Sequence, residues 1–135
     1  MRLKLGSIIV LMCLTAIVST AFAQSDYNLR AEVEKISSAH AENFNKQNAA
    51  GIAALYAQGA KLVNAAGVQT SVEENFQNAF KLGFNHQEVT IGEVSSIAPD
   101  VALGIGEYAN KGQGQNGALE VRGAGPLYTP EKMAC

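Results

Sequence analysis

The sequence is poor in the residues that build disulfides and metal sites. It contains two cysteines, Cys13 and Cys135, and two histidines, His40 and His86, which lie far apart along the chain. Neither histidine has a second histidine, thiol or carboxylate at the short spacing typical of zinc or iron sites, so we expect no metal site. No serine, histidine and acid combination suggests a hydrolytic triad, and Cys135 is too close to the C-terminus to be a credible nucleophile.

Charge is also scarce. Charged residues make up 16% of the chain, and the formal net charge is −2. Loss of an N-terminal segment carrying Arg2 and Lys4 would leave a more acidic remainder. Because an acidic surface repels phosphate groups, we expect neither nucleic acid nor anionic lipid as a partner.

No apolar run is long enough for a typical membrane anchor. The run over residues 8–18 is shorter than the roughly 20 residues that a spanning helix needs, and Thr15 interrupts it. Two basic residues precede the run, and Ala21-Phe22-Ala23 supplies the small-x-small pattern of a cleavage site. We therefore predict a signal peptide over residues 1–23, a secreted or periplasmic product, and no stable membrane insertion after cleavage.

Residues 24–135 have the length of one small domain with a single core. Cys13 would leave with the signal peptide, so Cys135 would be the only thiol in an oxidising compartment. No internal disulfide can then form, and the fold must rest on packing. A frayed terminal residue is the favoured interpretation of Cys135, with an intermolecular disulfide as the alternative.

Three amphipathic helices are predicted in the first half of this domain. The first has an apolar stripe at helical spacing, made of Leu29, Val33, Ile36, His40 and Phe44. A second begins near residue 49, turns Ile52, Leu55 and Tyr56 inward and stops at Gly59. A third begins at a capping box over residues 71–74 and ends at Gly83.

Strands are predicted elsewhere by alternation of apolar and other residues. A short strand covers residues 61–64, and after Gly83 the period changes from helical to two. Residues 101–109 form a strand with Val101, Leu103, Ile105, Glu107 and Ala109 on one face. The glycine-rich stretch 111–117 is expected to be a loop, and Tyr128 is placed in a further strand. Helices followed by antiparallel strands predict an α+β domain with helices on one side of a curved sheet.

Gly112, Gly114 and Gly117 spell the G-x-G-x-x-G pattern of dinucleotide sites, but that pattern requires a helix after it. Residues 118–122 instead alternate like a strand, and Asn116-Gly117 favours a hairpin turn. We therefore reject a nucleotide site and predict no cofactor.

Four side chains are candidates for a site. His40 lies on the inward stripe, where an imidazole could exchange a proton, although a buried structural histidine is the commoner outcome. Glu107 either lines a cavity or emerges at the end of the sheet. Tyr56 and Tyr108 could offer hydroxyl groups to a ligand, with aromatic core packing as the alternative.

Residues 44–63, FNKQNAAGIAALYAQGAKLV, resemble a segment of SnoaL-like and ketosteroid-isomerase-like proteins. The resemblance continues through residues 71–83 and the small-residue strand LGIGEY at 103–108, so that it covers most of residues 29–110. It implies the cystatin-like cone fold that nuclear transport factor two also has. In that fold, three N-terminal helices pack on a curved, mainly antiparallel sheet.

The departures from this family bear on mechanism. Asn64 stands where the resemblance would place the isomerase's proton-moving aspartate, and His40 stands where it would place the tyrosine that polarises the substrate carbonyl. The classical isomerase mechanism is therefore disfavoured. The chain also has no tryptophan, whereas relatives carry one in a long late strand, so we expect an incomplete final strand. Unpaired backbone groups at that edge would favour a homodimer.

We therefore expect an exported domain that binds a small, mostly apolar organic ligand in a cone-shaped pocket. Its site would contain His40, Tyr56, Asn64, Glu107 and Tyr108. The alternatives are an isomerase, cyclase or hydratase-like enzyme that uses His40, and a structural domain that oligomerises through its sheet.

Overall fold

The computed structural model describes residues 28–64, 66–99 and 101–128, and the side chains of residues 127 and 128 are outside that description. The predicted signal peptide, Cys135 and any strand after residue 128 also lie outside the described residues. In the described part of the chain, no helix combines the length and apolar character needed to cross a membrane.

The fold contains three helices and five strands within these residues. The helices are α1 over residues 28–45, α2 over Ala49–Ala53 and α3 over Val72–Lys81. The strands are β1 (Leu62–Asn64), β2 (Gly67–Gln69), β3 (Phe84–Ala98), β4 (Val101–Gly114) and β5 (Gly117–Tyr128). Strands β3, β4 and β5 form one antiparallel sheet in that order, and β1 and β2 form a separate hairpin. The predicted α+β class, with three helices on a mainly antiparallel sheet, is confirmed.

Local signals account for the helix boundaries. The Ser71 side chain caps α3 by accepting a hydrogen bond from the Glu74 amide at 3.2 Å. Asn48 caps α2 in the same way, by accepting from the Gly51 amide at 3.0 Å. Gly83 ends the α3 segment with φ of +107°, a backbone conformation that side chains disfavour.

Two predictions about the strands were wrong. Residues 111–114 continue β4 instead of forming a loop, and only Gln115 and Asn116 turn before β5 begins. Tyr128 ends this same β5 and does not belong to a further strand. Backbone groups can pair across a ladder whatever the side chains are, so a polar, glycine-rich composition did not prevent strand formation here.

The face of β4 that meets the helices is the one with the smaller residues. Ala102 is fully buried in the core, and Gly104 and Gly106 are buried as well. On the opposite face, Ile105 is 41% exposed and Glu107 is exposed. Small residues allow close approach of the helix layer, and this requirement outweighs the greater hydrophobicity of the other face.

Helix α1 is held against the sheet along its length. Near one end, the Arg30 guanidinium donates to the carbonyl oxygens of Ile91 and Gly92 on β3, at 3.1 and 3.3 Å. At the other end, Asn45 Oδ1 accepts from the backbone amide of Gln87 at 2.7 Å. Between them, α1 contributes Val33 and Phe44 to the core.

Phe44 is the largest fully buried side chain, and its ring packs edge to face against Phe76 and Phe80 of α3. We expect Phe44→Ala to lower the free energy of unfolding by about 3–5 kcal/mol, because it removes buried contacts and leaves a cavity. Ile97→Ala is the control, since Ile97 is 61% exposed; its effect should stay within about 0.5 kcal/mol. Urea denaturation measures both, and equal losses would contradict this account of the core.

Candidate functional site

A cleft of about 520 Å³ opens between the helices and the inner face of the sheet. Its lining is mostly apolar and includes Phe44 of α1, Phe76 of α3 and Val89 of β3. No Asp, Glu, Lys or Arg lines it in the described part of the chain. The volume falls in the range of about 300–1,000 Å³ that is common for small-molecule sites. The geometry therefore suits a small, uncharged and largely apolar molecule.

His40 lies at the polar end of this cleft. It follows the helical stripe of α1, one turn before Phe44, and is only 5% exposed. Its ring packs edge to face against the ring of Phe76, and the two ring centroids are 5.2 Å apart. The imidazole is therefore held by aromatic packing on one side and is available for hydrogen bonds through its two nitrogens.

Gln87 and Asn110 complete a buried polar network beside His40. Gln87 Oε1 lies 2.6 Å from His40 Nδ1, and Gln87 Nε2 donates to Asn110 Oδ1 at 2.8 Å. The two residues are directly opposed on β3 and β4, so the sheet ladder sets their positions. No buried side-chain nitrogen or oxygen among the described residues lacks a hydrogen-bond partner.

Burial lowers the pKa of His40 below the ordinary histidine value, and the hydrogen bond to Gln87 opposes this shift to a smaller extent. The imidazole is thus neutral at neutral pH. A neutral imidazole has one donor nitrogen and one acceptor nitrogen, so His40 can accept a proton or a hydrogen bond from a molecule in the cleft.

Three other predicted site residues line the same cleft. The hydroxyl oxygen of Tyr56, a residue that is 9% exposed, lies 3.4 Å from His40 Nε2. Asn64 lies at the more exposed end, where its Nδ2 donates to Asn75 Oδ1 at 3.1 Å and its Oδ1 accepts from the Ala66 amide at 2.9 Å. The Asn64 amide therefore fastens the β1–β2 hairpin to α3.

Tyr108 faces the cleft from β4 and depends on a glycine beside it. Gly123 is its cross-strand partner on β5. A Cβ atom at position 123 would lie 2.5–2.6 Å from three atoms at the hydroxyl end of the Tyr108 side chain. The absence of a side chain at Gly123 thus gives the tyrosine room to lie over the inner face of β5.

Glu107 does not line this cleft. Its side chain points to the opposite face of the sheet, where it lies in an open depression with Thr90 and Arg122. Successive side chains along β4 point to opposite faces of the sheet. Because Tyr108 and Asn110 face the helices, Glu107 faces away from them. Of the five predicted site residues, the structure brings four together and separates Glu107 from them.

Gln87 and Asn110 were not identified from the sequence. The sequence does indicate the position of Gln87, because residues 87, 89 and 91 are two apart and share one face of a strand. For Asn110, the signal was its spacing of two from Tyr108. The sequence does not predict their pairing, because a loop over residues 111–117 leaves no strand opposite residue 87.

No known family model matches the chain, and no curated protein is significantly similar to it in sequence. Solved structures are similar in fold. A protein of unknown function from Mycobacterium tuberculosis superposes with a TM-score of 0.63 at 11% identity, over 78% of this chain and 64% of that one. The chain thus spans less than two thirds of that protein's length.

Two further solved structures are similar in fold and come from proteins that resemble known families. A ketosteroid isomerase-like protein from Erwinia carotovora atroseptica has a TM-score of 0.57 at 17% identity, over 70% of this chain and 75% of that one. An NTF-2-like protein of unknown function from Shewanella oneidensis has a TM-score of 0.57 at 16% identity, over 73% and 84%. The chain therefore has the cone fold of NTF-2-like and ketosteroid isomerase-like proteins, as the resemblance in sequence implied.

The lowered pKa of His40 predicts how stability depends on pH. The unfolded chain protonates this histidine near its ordinary pKa of about 6.5, whereas the folded chain resists protonation to lower pH. The unfolded state then binds more protons, so the free energy of unfolding should fall as the pH drops from about 7.5 to 5.5.

His40→Gln should reduce this dependence, as measured by urea unfolding across that pH range. The matched control is His86→Gln, which removes the other histidine from the exposed surface of β3. The His86→Gln variant should retain the fall in the free energy of unfolding that is attributed to His40. An equal pH dependence in the wild type and His40→Gln would contradict the assignment to His40.

Proposed function

We propose that this chain is an exported protein that binds a small, uncharged, mostly apolar organic molecule in the cone cleft. The observation that carries the proposal is the lining of the cleft, which is mostly apolar, has a buried polar network at one end and contains no charged side chain among the described residues. The N-terminal pattern of basic, apolar and small residues supports export.

The chemistry of the two ends supports binding in a preferred orientation. At the polar end, His40, Gln87 and Asn110 are buried or partly buried and held by mutual hydrogen bonds. Around the apolar part, Phe44, Phe76 and other side chains can cover a hydrocarbon surface, whose removal from water favours binding. A molecule with one polar group on an apolar body would satisfy both parts of the cleft.

Filling the cleft tests this proposal. Ala79 of α3 lines the cleft, so Ala79→Phe should weaken binding of the neutral fluorescent probe N-phenyl-1-naphthylamine at least tenfold by occupying its space. Gln77→Phe places the same ring on an exposed position of the same helix and should leave the affinity near wild type. Fluorescence titration measures both, with circular dichroism to confirm folding.

Unchanged affinity in folded Ala79→Phe would contradict binding in this cleft. Native mass spectrometry of the purified protein adds a second measurement, because a binding protein is expected to retain a small molecule. A stable oligomer without any bound molecule would instead support the structural alternative, in which the domain associates through its sheet.

Proton-transfer catalysis is a second candidate function, and the neutral, buried imidazole of His40 in the cleft favours it. An isomerase, cyclase or hydratase-like enzyme would use His40 to move a proton to or from a carbon or oxygen atom of its substrate. Tyr56 or Asn64 would orient the carbonyl group in that case. The same cleft would serve both functions.

Hydrogen–deuterium exchange next to the carbonyl group of 2-acetylnaphthalene, followed by NMR, tests for a catalytic base without knowledge of the natural substrate. Catalysis by His40 predicts that His40→Ala and His40→Gln both lose the exchange, because neither side chain accepts a proton at neutral pH. Binding alone predicts no catalysed exchange, and better retention of probe affinity in His40→Gln than in His40→Ala. Equal exchange in the wild type and both variants would eliminate the catalytic candidate.

A further inference from the structure

With the Gln87 and Asn110 side-chain amides oriented as they are in the structure, each hydrogen bond of the buried network has a direction. Gln87 Nε2 is a donor and is engaged with Asn110 Oδ1 at 2.8 Å. Gln87 Oε1 can only accept, and it lies 2.6 Å from His40 Nδ1. A hydrogen bond at that distance requires the proton to be on Nδ1. Gln87 therefore acts on the imidazole as a positioning residue.

The second nitrogen of the ring then has the opposite character. A neutral imidazole carries one proton, so Nδ1–H leaves Nε2 as an acceptor. The Tyr56 hydroxyl oxygen lies 3.4 Å from Nε2, well beyond the 2.7–2.8 Å typical of strong hydroxyl hydrogen bonds. Tyr56 is thus a weak donor to Nε2, and a hydroxyl group of a molecule in the cleft can replace it with a shorter and stronger hydrogen bond.

The rest of the cleft limits which donors can reach Nε2. An ammonium group would lose its water shell without meeting a carboxylate, because no acidic residue lines the cleft among the described residues. A carboxylate or a ketone has no proton to donate. A neutral hydroxyl group on an apolar body satisfies the acceptor and costs little desolvation.

We propose that Gln87 fixes His40 in the Nδ1–H tautomer, so that the cleft selects apolar alcohols or phenols through a hydrogen bond from their hydroxyl group to His40 Nε2. The ligand class rests on the proposed binding function. The tautomer does not, since it follows from contacts within the protein alone. The two parts can therefore be tested separately.

The tautomer is measured by ¹⁵N NMR of histidine-labelled protein without ligand. We expect the His40 proton on Nδ1 in the wild type. In Gln87→Met, which has a similar length but no oxygen, we expect a shift towards Nε2–H, the form that free imidazole side chains prefer in water. Gln113→Met makes the same substitution at an exposed position of β4 and should keep the wild-type spectrum.

A wild-type proton on Nε2 would overturn the proposal, and this measurement does not depend on whether Gln87→Met folds. A purely structural role for Gln87 would change stability in the variant without changing the ring nitrogen that carries the proton. An unchanged tautomer in folded Gln87→Met would therefore also overturn the positioning role.

The ligand class is tested by calorimetric titration with 2-naphthol and 2-methoxynaphthalene, which differ in the hydroxyl proton. One hydrogen bond predicts about three- to tenfold tighter binding of 2-naphthol to the wild type. The preference should shrink in Gln87→Met and persist in Gln113→Met. Equal wild-type affinities would refute the ligand class, whereas failure of both compounds to bind would count against the proposed function and leave the NMR result to decide the tautomer.

Discussion

The burial of the small-residue face of β4, beneath a helix layer that is hydrogen-bonded to β3, is the constraint on which the cleft depends. Ala102, Gly104 and Gly106 place little or no side chain between helix and sheet, and Arg30 ties the helix to β3 nearby. Further along, Tyr108 and Asn110 replace these small residues on the same face. The layers are thus closely packed at one end and separated by a cleft at the other.

One hydrogen-bond network at the polar end of the cleft connects α1, β3 and β4 and includes His40. Gln87 donates to α1 through its backbone amide and to β4 through its side-chain nitrogen. Its side-chain oxygen is hydrogen-bonded to His40. Because His40 and Gln87 are buried and the Phe76 ring packs on the imidazole, the hydrogen bond between them is shielded from water. Burial favours the neutral imidazole, the form in which one ring nitrogen can accept a hydrogen bond.

The cone fold by itself does not distinguish a binding protein from an enzyme. Solved proteins with this fold include a ketosteroid isomerase-like protein and proteins of unknown function. In the present chain, Asn64 is engaged in holding the β1–β2 hairpin to α3, whereas the imidazole of His40 lines the buried end of the cleft.

The sequence by itself determined the α+β class, the inward stripe of α1, the α3 cap at Ser71 and the presence of His40 on a buried helix face. These features depend on local periodicity and on hydrogen bonds between near neighbours. Only the tertiary structure decided that β4 turns its small-residue face inward, that Glu107 lies outside the cleft, and that Gln87 and Asn110 meet His40. Each of these depends on strand register and layer distance, which arise from contacts between residues far apart in the chain.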